Sequence, residues 1–177
     1  LVNVEKAITM SFKTSNSNII MVGSRKDELG GSLYYSLYNE IGANVPTPEL
    51  DEVKNQINAI TDSIDNNLLQ SCHDISDGGI AVALSEMTFE NNIGCNVTVP
   101  GDLTSEKLLF SETGGFLVEV ADSEIEHFKN IFKKHNVTIY QIGKTSEVND
   151  IIINNKIHLN IKEAKDLWLN GLRDKIK

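Results

Sequence analysis

A mixed α+β fold is predicted by three observations. Short runs of strand length, such as Asn18–Gly23 and Gly94–Val99, are interleaved with segments of helical spacing, such as Glu49–Asp65 and Ser123–His135. Their order is neither an unbroken series of strands nor a regular strand–helix alternation, which excludes an all-β sandwich and a doubly wound array. The 177 residues are 40% hydrophobic and include only three prolines, the composition of an ordered globule long enough to bury a core, and one domain over 1–177 is expected.

The elements are expected in this order. Asn18–Gly23 (NIIMVG) is a short buried strand and Ser24–Gly31 a charged loop. Ser32 is a fitting N-cap for a helix running to Ile41. Val45-Pro46-Thr47-Pro48 is a stiff connector. From Glu49 to Asp65, Leu50, Val53, Ile57, Ile60 and Ile64 mark a helix face. Leu68–Cys72 is a strand entering a polar turn, and Gly79–Asn91 a buried helix. In Gly94–Val99, Cys95, Val97 and Val99 alternate with Asn96 and Thr98, as in a strand. Ser105–Phe110 is a short helix or turn, Phe116–Val120 a strand, and Ser123–His135 an amphipathic helix built on Ile125, Phe128, Ile131 and Phe132. The run Glu119–Glu126 is taken as a solvated helix start, where acids suit the dipole. Val137–Lys144, Ile151–Asn154 and Lys156–Asn160 are strands, the last two joined by an Asn154-Asn155 turn, and Lys162–Ile176 is a closing helix.

Charge and cysteine content narrow the function. The net charge of −9 argues against an electrostatic nucleic-acid footprint. No apolar run approaches the roughly 18 residues of a membrane span. Cys72 and Cys95 have no metal-like spacing, so they are expected as buried apolar residues of a protein in a reducing, cytoplasmic compartment. The sequence starts at Leu1 rather than Met, which fits a piece of a longer polypeptide.

The chemistry-bearing residues cluster in a few motifs. His73-Asp74-Ile75-Ser76-Asp77-Gly78-Gly79 places an imidazole and two carboxylates ahead of a glycine-opened helix. The two acids and the imidazole suit acid–base or metal chemistry, or else Asp77 or Ser76 caps the helix while His73 and Asp74 hydrogen-bond the turn. Half of the twelve glycines lie in three pairs, Gly30-Gly31, Gly78-Gly79 and Gly114-Gly115. They form either anion-tolerant loops around one cleft or three tight turns. No GxxxxGK[ST] or GxGxxG pattern is present, and no catalytic or metal-ligating set emerges.

His73-Asp-Ile-Ser-Asp-Gly-Gly-Ile-Ala-Val-Ala-Leu-Ser-Glu-Met87 resembles the signature of the C-terminal domain of the aminoimidazole ribonucleotide synthetase superfamily. Val4–Met10, Asp27-Glu28-Leu29-Gly30-Gly31-Ser32, Leu109–Thr113 and Ala164–Trp168 agree with it in order and spacing. The combination is most similar to the phosphoribosylformylglycinamidine synthase family. That resemblance implies a layered α/β domain, partly ferredoxin-like. It implies membership in an enzyme that uses ATP and glutamine-derived ammonia to convert formylglycinamide ribonucleotide to its amidine in purine biosynthesis. Mg-ATP would be held by earlier domains, with none on this domain, which alone would be inactive. The implied partners are those preceding ATP-binding domains, a glutaminase subunit and a small accessory subunit. A homodimer of the fragment is also expected, covering an apolar rim at Leu1–Phe12, Gly30-Gly31 and Gly78-Gly79. By the same resemblance, His73, Asp74, Ser76, Asp77, Gly78, Gly79, Gly30, Gly31 and Ser32 belong to a domain seam; Ser111, Glu112 and Thr113 stand where the first of the family's two related domains touches substrate, while this chain resembles the second, non-catalytic one, so they touch substrate or else form a turn or interface. The family's Arg before the next strand is missing here, where Gly114-Gly115 runs straight into Phe116. Alternatives are selenophosphate synthetase, thiamine-monophosphate kinase or hydrogenase-maturation relatives, or a stand-alone interaction module. The Asp27–Ser32 and His73–Gly79 motifs together favour the purine enzyme over those relatives.

Overall fold

Seven strands form one sheet in a computed structural model that describes residues 3–171. In chain order the elements are β1 (Asn18–Val22), α1 (Leu33–Ser36), α2 (Leu50–Asp65), β2 (Ser71–Asp74), α3 (Gly79–Thr88), β3 (Gly94–Val97), α4 (Ser105–Phe110), β4 (Phe116–Val120), α5 (Ile125–Lys134), β5 (Ile139–Ser146), β6 (Asp150–Ile153), β7 (Ile157–Asn160) and α6 (Ile161–Asn170). Sheet order is β2-β4-β1-β5-β3-β6-β7. The first four strands pair antiparallel. With α2 between β1 and β2, and α5 between β4 and β5, they make a β-α-β-β-α-β plait, the expected ferredoxin-like half. The segment α3-β3-α4 is inserted between β2 and β4, and β6-β7-α6 follows β5. Strand β3 then pairs antiparallel with the far half of β5 and parallel with β6.

Strand alternation splits the core between the two faces. Ile20 and Val22 of β1 and Val118 and Val120 of β4 meet Ala59 and Ile60 of α2 and Phe128, Ile131 and Phe132 of α5. Ile19, Met21, Leu117, Cys95, Val97 and Ile151 point the other way, against Ile80, Leu84 and Met87 of α3 and Leu108 and Leu109 of α4. Covered on both faces, β1 is buried at every position, which is why it reads as an unbroken apolar run. The Phe128 and Phe132 rings pack with centroids 4.4 Å apart, each side chain contributing roughly 1.5–3 kcal/mol by burial.

Local chemistry sets the ends of the elements. All seven non-glycine residues with positive φ among those described are asparagines: Asn16, Asn39, Asn67, Asn92, Asn136, Asn154 and Asn155. Asparagine tolerates the left-handed region better than other non-glycine residues. Asn154 and Asn155 are the two central residues of the β6–β7 turn, the φ > 0 pair that a tight hairpin needs.

Several expectations are corrected. The helix expected over Ser32–Ile41 is a single turn, Leu33–Ser36, because the chain reverses at Asn39 and Gly42 to pair Gly31 N–H with Ile41 O. Ser32 does cap it, its Oγ accepting from Tyr35 N at 3.3 Å. His73 and Asp74 belong to strand β2 rather than to the turn. Neither Asp77 nor Ser76 caps α3 through its side chain. Glu119 is not solvated: it is fully buried in β4, where its carboxylate accepts from Lys13 N at 2.7 Å, Thr14 N at 2.9 Å and Ser71 Oγ at 3.0 Å. That capture ties down the N-terminal segment, and Phe12 is completely buried. The expected rim therefore fails at Phe12, Gly30, Gly78 and Gly79, all buried, although Val4 and Met10 are exposed. Helix α2 faces inward with Gln56, Ala59, Ile60 and Ser63, while Leu50, Val53 and Ile57 face out. The closing helix is described to Asn170, and its expected continuation to Ile176 lies outside the described residues.

Candidate functional site

The three glycine pairs converge, and the group at their centre is the protein's own carboxylate. Glu112 Oε1 accepts from Leu33 N at 2.8 Å, at the start of α1, and from Gly78 N at 2.9 Å, at the start of α3. Two helix starts thus share one oxygen, which satisfies donors that no intrahelical carbonyl reaches. Gly78 has φ +76° and Gly79 φ +68°. A Cβ on Gly79 would lie 2.7 Å from Leu109 O and 2.8 Å from Ser111 O, so the chain end of α4 rests directly on the backbone of α3. The third pair closes the ring, with Ile75 N donating to Gly115 O at 2.9 Å.

The neighbours of Glu112 are equally engaged. Ser111 is fully buried. Arg25 Nη2, reaching across from the loop after β1, donates to Ser111 O at 2.6 Å and lies 3.4 Å from Ser111 Oγ. A cation therefore does stand at this loop, supplied by a residue that spacing in the sequence did not single out. Burial pulls Arg25 down to about 10 against the opposing pull of Glu28, and its Nε is shut from solvent without a partner. Thr113 Oγ1 donates to Glu28 Oε2 at 2.7 Å. Among the described residues, Glu112 Oε2 is the carboxylate oxygen of this segment that takes no hydrogen bond.

Beside this loop opens a groove of ≈ 230 Å³, walled by Thr113 and Gly114 on one side and by Pro46, Pro48 and Val53 on the other. Glu28, Glu49, Glu52 and Glu112 line it, against one cation, Lys26, which sits 3.6 Å from Glu52. Four carboxylates around an apolar wall repel phosphate and favour a cationic group. No cluster of three or more His, Cys, Asp or Glu able to hold a metal ion occurs among the described residues.

The His73 motif closes on itself. His73 Nε2 lies 2.8 Å from Glu86 Oε2, thirteen residues on and in α3, and Nδ1 lies 3.2 Å from Asp74 Oδ1. Glu86 Oε1 in turn accepts from Trp168 Nε1 at 2.9 Å. Strand β2, helix α3 and helix α6 are thereby linked through three side chains, His73, Glu86 and Trp168. Asp74, Ser76 and Asp77 remain exposed beside buried Gly78 and Gly79. Cys72 and Cys95 are pushed up to about 12, both chiefly by burial, which makes them poor nucleophiles.

The fold defines the class: a ferredoxin-like plait carrying an inserted α-β-α unit and a glycine-lined hub where three loops meet. Residues 15–154 match the family of the AIR synthase related protein, C-terminal domain, and the chain belongs to that family. A curated relative, the phosphoribosylformylglycinamidine synthase subunit PurL of Methanothrix thermoacetophila, is 36% identical over 99% of this chain. The match spans only 24% of that relative's length. Thermotoga maritima PurL complexed with FGAR superposes with a TM-score of 0.79 at 15% identity, over 92% of this chain and 30% of that one. The structure of PurLQS from the same organism gives 0.73 at 16% identity, over 92% and 28%. At those identities the structural likeness bears on the fold alone.

Proposed function

We propose that the chain is one domain of a phosphoribosylformylglycinamidine synthase synthetase subunit. The observation that carries this reading is the 36% identity to PurL over 99% of the chain. The reaction would be a C–N ligation. ATP phosphorylates the amide oxygen of formylglycinamide ribonucleotide, ammonia adds at that carbon, and the oxygen leaves as inorganic phosphate with ADP as co-product. Mg-ATP and the catalytic groups would lie in other domains of the longer polypeptide. Ammonia would come from a glutaminase subunit, with a small accessory subunit in the complex, all in the cytoplasm.

The part this domain plays follows from the hub. Ser111, Glu112 and Thr113 act as positioning residues that hold α1, α3 and the 111–115 loop in register, and Glu112 Oε2 is the atom left open to a ligand. His73, Asp74, Ser76, Asp77, Gly78, Gly79, Gly30, Gly31 and Ser32 shape a seam against a neighbouring domain, to which the exposed Asp74, Ser76 and Asp77 are available. The test is steady-state amidine formation from formylglycinamide ribonucleotide, Mg-ATP and ammonia. The longer polypeptide is expected to turn over and the 177-residue chain to match a blank. Turnover by the short chain, or none by the longer one, overturns this reading.

A further inference from the structure

We propose that the outward face of α1, the connector after it and the first half of α2 is the seat of another domain of the same longer polypeptide, one that presents an apolar surface carrying Lys or Arg. The inference rests on the reading that this chain is one part of a longer synthase.

Two observations point to a docking face. Eight of the fifteen exposed large hydrophobics among the described residues fall between positions 33 and 57: Leu33, Leu37, Tyr38, Ile41, Val45, Leu50, Val53 and Ile57. Helix α2 is also turned the wrong way for a free surface. It buries Gln56 at 4% exposure and Ser63 at 0%, yet leaves Leu50 at 80% and Ile57 at 48%. Burial favours the opposite choice, since apolar side chains gain from leaving water and a buried amide or hydroxyl needs a partner. Here Gln56 Nε2 donates to Glu52 Oε1 at 3.1 Å and Ser63 Oγ to Ala59 O at 2.8 Å, so these two polar side chains are satisfied inside beside Ala59 and Ile60, while Leu50, Val53 and Ile57 in the first half of the helix await cover. Exposed apolar surface gathered in this way marks an interaction site.

Charge selects the occupant. Between positions 33 and 57 there are four acids, Glu40, Glu49, Asp51 and Glu52, and one base, Lys54. The acidic groove beside the 111–115 loop opens onto the same first turns of α2 and adds Glu28 and Glu112 against Lys26. A second copy would bring the same acids to this rim from a chain of net charge −9, and like charges brought together oppose association. A partner whose apolar surface carries cations instead gains on both counts, with the aliphatic stem of a Lys or Arg fitting the Pro46–Pro48–Val53 wall and its charge facing the carboxylates.

The test is site-specific thiol labelling, read by peptide mass spectrometry, of Leu37→Cys, Ile57→Cys and the control Glu126→Cys in the longer polypeptide and in the 177-residue chain. In the longer polypeptide Leu37→Cys and Ile57→Cys are expected to react at least tenfold more slowly than Glu126→Cys at every protein concentration, and in the short chain at comparable rates. Adding Glu49→Lys and Glu52→Lys to Ile57→Cys should raise its rate in the longer polypeptide severalfold. Equal rates at all three sites in the longer polypeptide overturn the proposal. So does protection that appears in the short chain and grows with concentration, which would make a second copy the occupant, and so does indifference to the charge reversals. Amidine formation by the longer polypeptide is scored separately, so a failed docking face is distinguishable from a failed assignment of the enzyme.

Discussion

Glu112 shows how one side chain sets the geometry of this domain. Replacing it by alanine strands two backbone N–H groups at once, so Glu112→Ala is expected to lower stability by about 1–3 kcal/mol, read from the urea midpoint. Glu112→Gln keeps a carbonyl oxygen for both donors and should lose much less. Gly79→Val is expected to cost at least about 1–3 kcal/mol, since φ is +68° and the added Cβ meets backbone carbonyls that cannot move aside. An unchanged midpoint in either Glu112→Ala or Gly79→Val would contradict this account. The two native thiols, pushed up to about 12, should stay unreactive to a thiol reagent at neutral pH until the protein is unfolded. At this scale Gly78 and Gly79 stood out as a pair opening a helix, and Glu112 through family resemblance. The sequence did not show that Glu112 reaches Leu33, 79 positions away, or that Arg25 supplies a cation to Ser111. Both facts come from loop closure, which carries no local period.

Secondary structure was legible wherever one face alone decides burial. Helix α5 was foreseen from Ile125, Phe128, Ile131 and Phe132, and the last three are buried as expected. Helix α2 was foreseen as a helix, and of its apolar stripe Ile60 is buried and Ile64 packs on the core, whereas Leu50, Val53 and Ile57 in its first half face out. Helix α2 is also tied to α5 by a polar clasp: His135 Nε2 lies 2.7 Å from Asp62 Oδ2. That hydrogen bond, ahead of the neighbouring Lys134 charge, holds the Asp62 carboxyl below its ordinary value of 3.8. A carboxyl depressed by folding contributes stability that is present above its unfolded pKa and is lost as pH falls through the folded one. Wild-type stability should therefore decline as pH drops below about 4, and Asp62→Asn should flatten that part of the decline. Because Asp62 is 41% exposed, solvent screening keeps the effect small, and superimposable acid profiles would dismiss the clasp.

For the molecule as a whole, the plait was implied by family resemblance and not by periodicity, because strand order depends on pairings between distant segments. Those pairings make β1 and β4 the interior of the sheet, both flanked by partners and covered on each side. Helix α6 stands at the other extreme. Ile161 is its buried residue, and it is otherwise held by Trp168 to Glu86 and by Lys165 Nζ to Phe89 O at 2.6 Å. Trp168 is the only tryptophan, and it touches Glu86 and Phe89, so its fluorescence reports on the docking of α6 against α3. On adding urea the fluorescence transition is expected to precede the loss of far-ultraviolet circular dichroism, as it would for a unit of lower local stability. Coincident transitions would instead make α6 part of one cooperative core.

The sheet's hydrogen bonding passes from the plait to β3, β6 and β7 through β5 alone, which pairs with β1 along Ile139–Lys144 and with β3 along Gly143–Ser146. The two pairings overlap at Gly143 and Lys144, opposite a register shift at Ile19–Ile20, and a Cβ on Gly143 would lie 2.1 Å from Asn96 O. Assembly of the molecule thus has a natural sequence. The plait can close on β1, β4 and the near half of β5, whereas β3 must wait for a strand that emerges from the ribosome nearly fifty residues later. During synthesis, β3 (Gly94–Val97) would remain without its antiparallel partner until β5 arrives, and that interval is when a chaperone would find this strand exposed.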